Sequence, residues 1–199
     1  LKDGSSITNI VLMGMGEPLA NYDNTLKALE LMVHPEAFKF SSRRVTLSTA
    51  GLLPELERLS KEKISFRLAI SLNASDEETR TFLMPVNRRY PLERLLEVCR
   101  HFPLRPRTRI TFEYVLVGGI NDTSQDAKRL LKLLRGIPSK INLIPLNEAP
   151  GIPFKKPSDE KVREFQEILV KGGFTAIVRA SKGAEISAAC GQLQGKSSE

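Results

Sequence analysis

Phe66–Glu78 reads FRLAISLNASDEE. Its first seven residues, Phe66–Leu72, form a short apolar run with β-branched and aromatic members, which predicts a buried strand. The run ends in small polar residues, Ser71-Leu72-Asn73. Ser75-Asp76-Glu77-Glu78 then fits a capping box, with Ser75 as the N-cap and Glu78 reaching back. A helix is predicted to start there and run to about Leu83. The segment is one βα unit, and the same pattern recurs on both sides of it.

Upstream, Asn9–Met13 and Arg44–Leu47 read as strands, with helical spacing over Asn24–Val33 and a short helix over Pro54–Leu59. Downstream, a helix follows Pro91, with Leu92, Leu95, Leu96 and Cys99 on one face. Thr108–Val117, Lys140–Ile144 and Phe174–Arg179 are further strands. Between them lie the helices Ser124–Leu134, with Asp122 or Thr123 as its cap, and Ser158–Lys171. A short helical stretch is expected to follow through Ala189. Strands separated by helical patterns imply right-handed crossovers and a parallel sheet, an α/β fold. Six strand candidates are too few for a closed eight-stranded barrel. A partial barrel or an open doubly wound sheet remains, and either gathers ligands at the C-terminal ends of its strands.

The chain has 199 residues, 41% hydrophobic and 27% charged, ordinary globular values that exclude a disordered chain. No apolar run approaches the roughly 18–20 residues that span a bilayer. Residues 1–192 read as a single domain and 193–199 as a frayed tail. The two cysteines, Cys99 and Cys190, cannot build a disulfide framework or a metal site that takes three or four cysteines from one chain. A reducing, cytoplasmic setting and a monomer are expected.

The net charge of +7 points to an anionic partner. Between Pro85 and Arg109 seven arginines face only Glu93 and Glu97, a net +5 of that total. Arginine's planar fork suits phosphate, which makes Arg88, Arg89, Arg105 and Arg107 candidate nucleic-acid contacts. A solvated turn with charged helix ends would look the same. With no Trp and 6% aromatic residues, no stacking platform for single strands is evident.

The strand ends carry the unusual residues. The first strand runs into Gly14-Met15-Gly16-Glu17-Pro18, where two glycines allow close backbone approach and Glu17 adds a carboxylate. A tight turn with a solvated glutamate also accounts for GMGEP alone. Ser48-Thr49, Ser71-Leu72-Asn73 and Pro145-Leu146-Asn147 end other strands, and their recurrence at the same edge suits a polar ligand. Cys190, in Ala188–Leu193 (AACGQL), fits either a small buried residue or a reactive thiolate. Cys99 belongs to the core, and His34 and His101 have no partner at metal-ligand spacing.

GMGEP, RRVTLST (Arg43–Thr49), AISLNA (Ala69–Ala74), KINLIPLN (Lys140–Asn147) and AACGQL occur together and in order. This set resembles the radical-SAM RNA methyltransferases that modify C2 of adenine in large-subunit ribosomal RNA (the RlmN/Cfr family), over essentially the whole chain. Pro18 and the Pro-Leu-Asn segment resemble the housekeeping branch more than the resistance branch, which modifies C8. The resemblance implies a partial (β/α)6-type barrel. It implies that Gly16 and Glu17 hold the amino-acid end of S-adenosylmethionine, with Ser48, Ser71, Leu72, Asn73 and Asn147 as its remaining contacts. Cys190 matches the cysteine that is itself methylated. In the family a radical formed at a 4Fe–4S cluster takes hydrogen from that methyl-cysteine, and the resulting carbon radical adds to adenine C2. Adenine C2 is electron-poor, so ordinary methyl transfer to it is unfavourable and sulfur-borne radical chemistry avoids the difficulty. The implied partners are 23S rRNA and, as a second candidate, transfer RNA.

The family's C-x3-C-x2-C cluster motif, its resolving cysteine and its N-terminal RNA-contacting domain are not in this sequence. They are expected, with the first barrel strand and the cluster loop, upstream of Leu1. Asn73 stands where some members carry His. This piece alone is expected neither to build the cluster nor to turn over. A basic α/β module that grips RNA without chemistry is the alternative of a different class. An ordinary partial-barrel enzyme using Glu17 as a general base is weaker, because no acid partner is visible.

Overall fold

A computed structural model describes residues 6–14, 16–64, 66–148 and 153–179. Their strands are β1 (Ile10–Leu12), β2 (Val45–Thr49), β3 (Arg67–Ser71), β4 (Ile110–Leu116), β5 (Ser139–Pro145) and β6 (Ala176–Val178). Among these run the helices α1 (Tyr22–Val33), α2 (Leu53–Leu59), α3 (Glu77–Leu83), α4 (Leu92–His101), α5 (Ser124–Leu133) and α6 (Asp159–Lys171). The strands form one parallel sheet in chain order, β1-β2-β3-β4-β5-β6. That order decides between the two architectures left open by the sequence. A doubly wound sheet reverses its strand order at a switch point. No reversal occurs here, so right-handed crossovers lay the helices on one face. The described residues form a partial barrel, and among them one face of the sheet carries no helix.

Strand alternation explains the two faces. Ile110, Phe112, Tyr114 and Leu116 of β4 are fully buried in the apolar core, together with Leu68 and Ile70 of β3 and Ile141 and Leu143 of β5. Tyr114 packs on Phe165 of α6 with ring centroids 5.3 Å apart. The residues between them make the concave face. Register places Ser71, Glu113 and Asn142 side by side in one row, and Ala69, Thr111 and Lys140 in the next. Helix α4 buries Leu92, Leu95, Leu96 and Cys99, the face its spacing predicts. Each such leucine contributes about 1.5–3 kcal/mol by leaving water. Burial pushes the Cys99 thiol up to about 12, consistent with core filler.

Two helix caps are set by contacts with Asp126. Thr123, not Asp122, caps α5, in a capping box with Asp126. Ser75 is not the cap of α3. That role falls to Asp76, whose carboxylate accepts from the Thr79 N–H at 2.8 Å. The Ser75 hydroxyl, 3% exposed, instead donates to Asp126 Oδ1 at 2.8 Å across the gap between β3 and α5. A buried carboxylate at the neighbouring helix start competes successfully for the hydroxyl, so the helix begins one residue later. No helix among the described residues is long and apolar enough to cross a membrane. Cys190, the helical stretch through Ala189 and the tail 193–199 lie outside the described residues.

Candidate cofactor-binding site

The C-terminal ends of β1 to β5 border a cavity of about 410 Å³. Gly14, Gly16, Glu17, Ser48, Ser71 and Asn73 are on its wall, with Glu113 at its floor and Met13, Met84, Val115 and Ile144 as apolar lining. This brings together five of the seven residues that the resemblance assigns to the cofactor, Gly16, Glu17, Ser48, Ser71 and Asn73. Leu72 is different. Its side chain is fully buried in the core, and only its backbone stands at the edge, donating to the Glu113 carbonyl at 2.9 Å. Asn147 sits half-buried just beyond the end of β5 and does not line the cavity.

Glu17 is not a solvated turn residue. Its Oε1 accepts from the Leu19 N–H at 3.0 Å, capping the short 3-10 turn Pro18–Asn21, and its Oε2 accepts from the Ala50 N–H at 2.7 Å. The carboxylate therefore ties the end of β1 to the end of β2. Gly16 has φ +86°, and a Cβ there would meet nothing within 4 Å, so its backbone angle rather than its space requires glycine. Gly51, after β2, needs both: φ is +96° and a Cβ would lie 2.8 Å from Leu95 Cδ1.

Ala50 is also held from the other side. Its carbonyl accepts from Arg80 Nη2 at 2.9 Å, while Arg80 Nη1 donates to Asn87 Oδ1 at 2.6 Å. Asn87 Nδ2 in turn donates to Glu77 Oε2 at 2.6 Å. Arg80 is fully buried, and its Nε has no hydrogen-bond partner. Burial pulls the guanidinium down to about 10, with the Glu77 charge opposing. This chain, Glu17–Ala50–Arg80–Asn87–Glu77, stiffens one rim of the cavity.

The opposite rim rests on asparagines. Asn73 adopts φ 57°, a left-handed conformation that asparagine tolerates better than most residues. Its Oδ1 accepts from the Val115 N–H at 2.9 Å and its Nδ2 reaches Met84 Sδ at 3.3 Å. Asn121, fully buried, donates through Nδ2 to the carbonyls of Asn73 and Val115, each at 2.8 Å, and accepts from the Val117 N–H at 2.7 Å. Below them Glu113, 8% exposed, receives Asn142 Nδ2 at 3.4 Å. Burial raises the Glu113 carboxyl above its ordinary value, against the pull of Asn142, Arg179 and Lys140.

Sequence reasoning missed Arg80, Asn87, Asn121 and Glu113. Glu113 had a visible signal, a carboxylate in the middle of the otherwise apolar strand TRITFEYVLV. The arginine on α3 had none, because a helix arginine normally reads as solvent-facing. The four candidate RNA-contacting arginines do not form one patch. Arg88 and Arg89 are exposed beside the cavity rim, in and after the turn Pro85–Arg88 that follows Met84. Arg105 and Arg107 lie at the other end of the sheet, lining a separate cleft.

Residues 1–134 match the Radical SAM superfamily. The chain belongs to that superfamily, whose members use S-adenosylmethionine and a 4Fe–4S cluster. It is 57% identical over 190 residues to the "Dual-specificity RNA methyltransferase RlmN" of Geobacter sulfurreducens, covering 96% of this chain and 52% of that protein. It is 54% identical over 196 residues to the protein of the same name from Syntrophotalea carbinolica, covering 98% of this chain and 52% of that protein. The crystal structure of a radical SAM methyltransferase from Sphaerobacter thermophilus superposes with TM-score 0.91 at 46% identity, covering 97% of this chain and 57% of that one. A domain of pyruvate-formate lyase-activating enzyme from Bacteroides vulgatus shares the fold, with TM-score 0.65 at 17% identity over 87% of this chain and all of that one. The chain spans about half the length of the curated relatives it matches.

The cavity fits S-adenosylmethionine in kind and size. Its volume falls in the range of small-molecule sites, about 300–1,000 Å³. Its apolar lining suits a purine, while its serine hydroxyls, open glycine backbone and carboxylate suit an amino-acid moiety. The described residues do not fit a cluster. No three His, Cys, Asp or Glu side chains among them could hold a metal ion, and Cys99 is sealed in the core.

Proposed function

We propose that this chain is the cofactor-binding part of a radical-SAM RNA methyltransferase that methylates C2 of an adenine in 23S rRNA, with transfer RNA as a second substrate. The observation that carries the reading is the cavity at the C-terminal strand ends, lined by residues that the RNA methyltransferase motifs single out. The high identity to proteins named as RNA methyltransferases supports it. When bound, S-adenosylmethionine supplies a methyl group and one-electron chemistry. The backbone at Gly14–Glu17 and the hydroxyls of Ser48 and Ser71 would bind its amino-acid end. Met84, Val115 and Ile144 would exclude water from the purine. Leu72 contributes through its backbone only, Asn73 mainly shapes the edge, and Asn147 approaches from beyond β5. Cys190 carries the methyl group on sulfur. The cluster ligands belong to a part of the protein outside this chain, and the enzyme works as a cytoplasmic monomer.

The test is Cys190→Ala in the whole methyltransferase, expressed in a host lacking its own enzyme, with the rRNA nucleosides read by mass spectrometry. Loss of 2-methyladenosine is expected. Retained methylation at C2 would refute the role of Cys190, and modification at C8 would refute the regiochemistry. RNA binding with no methylation by the unaltered protein would favour the non-catalytic module.

A further inference from the structure

The N-terminal ends of β2 to β5 border a second cleft, of about 580 Å³. Arg43, Arg67, Arg105, Arg107, Arg109 and Lys140 line it, and no acidic residue does. None of these six cations has a carboxylate within ion-pair distance among the described residues. Among the described residues their one side-chain hydrogen bond runs from Arg109 Nη1 to Thr175 Oγ1 at 3.1 Å. A solvated basic face spreads its charges apart. Here strand register and a loop bring them to the walls of one concavity, at a cost in mutual repulsion. Lys140 records that cost. Burial lowers its ammonium from the ordinary value, and the nearby Arg67, Arg179 and Arg109 lower it further, against the opposing charge of Glu113.

The loop that supplies two of the arginines is built rather than loose. In Pro103-Leu104-Arg105-Pro106-Arg107-Thr108 two prolines fix φ. Thr108 closes a turn, its N–H and Oγ1 both donating to the Arg105 carbonyl at 3.0 and 2.6 Å. Arg107 is held at φ 62°, outside the conformation arginine prefers. Guanidinium groups carried on a rigid backbone around a cleft, without ion pairs among the described residues, suit the recognition of phosphate oxygens by paired hydrogen bonds.

We propose that this cleft binds the phosphate backbone of the substrate RNA, as a second contact at the end of the barrel opposite the cofactor cavity. The inference rests on the RNA reading above and adds where the RNA is gripped. Seven-residue strands at about 3.3 Å per residue separate the two sites by about 20 Å. The phosphates bound in the cleft therefore belong to a part of the RNA other than the target nucleotide. Such a contact positions without reading sequence.

The experiment uses the whole methyltransferase and a fluorescein-labelled RNA stem-loop, with affinity measured over a series of salt concentrations. Arg105→Gln with Arg107→Gln, and separately Arg43→Gln with Arg67→Gln, remove two charges from opposite walls. Each pair is expected to weaken RNA binding on the order of tenfold and to reduce the log–log salt slope by about 2. Arg163→Gln with Lys171→Gln removes the same charge from α6 and is expected to change neither. Equal losses for that control would assign the effect to net charge and overturn the proposal. So would wild-type affinity and slope in both cleft variants. A lowered melting temperature with unchanged RNA affinity would assign the cleft to a protein segment, again overturning it. Binding of inorganic triphosphate that the cleft variants abolish, with unchanged RNA affinity, would make the site one for free phosphates instead. If the unaltered enzyme fails to bind the stem-loop, the RNA reading falls and this inference with it.

Discussion

The two ends of the sheet solve opposite problems with the same strands. At the C-terminal end buried and half-buried polar groups are hydrogen-bonded to one another, Arg80 Nε excepted: Glu17 on Leu19 and Ala50, Arg80 on Ala50 and Asn87, Asn121 on Asn73, Val115 and Val117. At the N-terminal end six cations stand without ion pairs among the described residues. The first end pays in desolvation for a rigid cavity. The second stores repulsion that an anionic partner would relieve. Rigid, neutralised surroundings suit a small ligand that must be oriented, whereas exposed charge suits a long polyanion that must be captured.

Mutations should therefore act on different quantities at the two ends. The largest expected effect is Arg80→Met. It orphans the buried Asn87 Oδ1 and loosens Ala50, and should cost about 3 kcal/mol in urea unfolding. A cost below about 0.5 kcal/mol, the level of an ordinary surface substitution, would mean that this rim does not depend on the buried arginine.

Asp126→Asn should have a smaller and pH-dependent effect. Burial favours the protonated acid, but hydrogen bonds from Thr123 and Ser75 and the charge of Arg129 outweigh it and hold Asp126 below its ordinary value of 3.8. The depressed carboxyl contributes stability above pH 3.8 that is lost as pH falls through the folded value. The variant's deficit should be present at neutral pH and shrink in acid, read from melting temperatures across pH. A deficit independent of pH would contradict the assignment.

The smallest effect on stability belongs to the other end. Arg105→Gln with Arg107→Gln should leave the unfolding free energy within about 0.5 kcal/mol of wild type. A loss of several kcal/mol would show that those arginines hold the fold, and would erase the contrast between the two ends.

What was legible in the sequence follows the physics of each signal. Strand and helix order came through because period-2 and period-3.6 apolar patterns are local. The strand-end residues Gly16, Glu17, Ser48, Ser71 and Asn73 converge because parallel strands in chain order bring their ends to one edge. The arginine-rich stretch misled for the same reason. Arg88 and Arg89 precede α4 and Arg105 and Arg107 follow it, and that helix carries the chain from one end of the sheet to the other. A charge run continuous in sequence thus becomes two sites. Ser75 lost the cap to Asp76 through a contact with Asp126, 51 residues away, which no local pattern encodes. Arg80 and Asn121 likewise work through distant backbone partners, so their types alone did not mark them.

S-adenosylmethionine is proposed to sit at the C-terminal edge of this chain's sheet. A crystal structure of the whole protein grown with that cofactor will decide it. Density for it is expected against Gly16, Ser48, Ser71 and Asn73, above Glu113. An empty cavity with the cofactor bound elsewhere would contradict it.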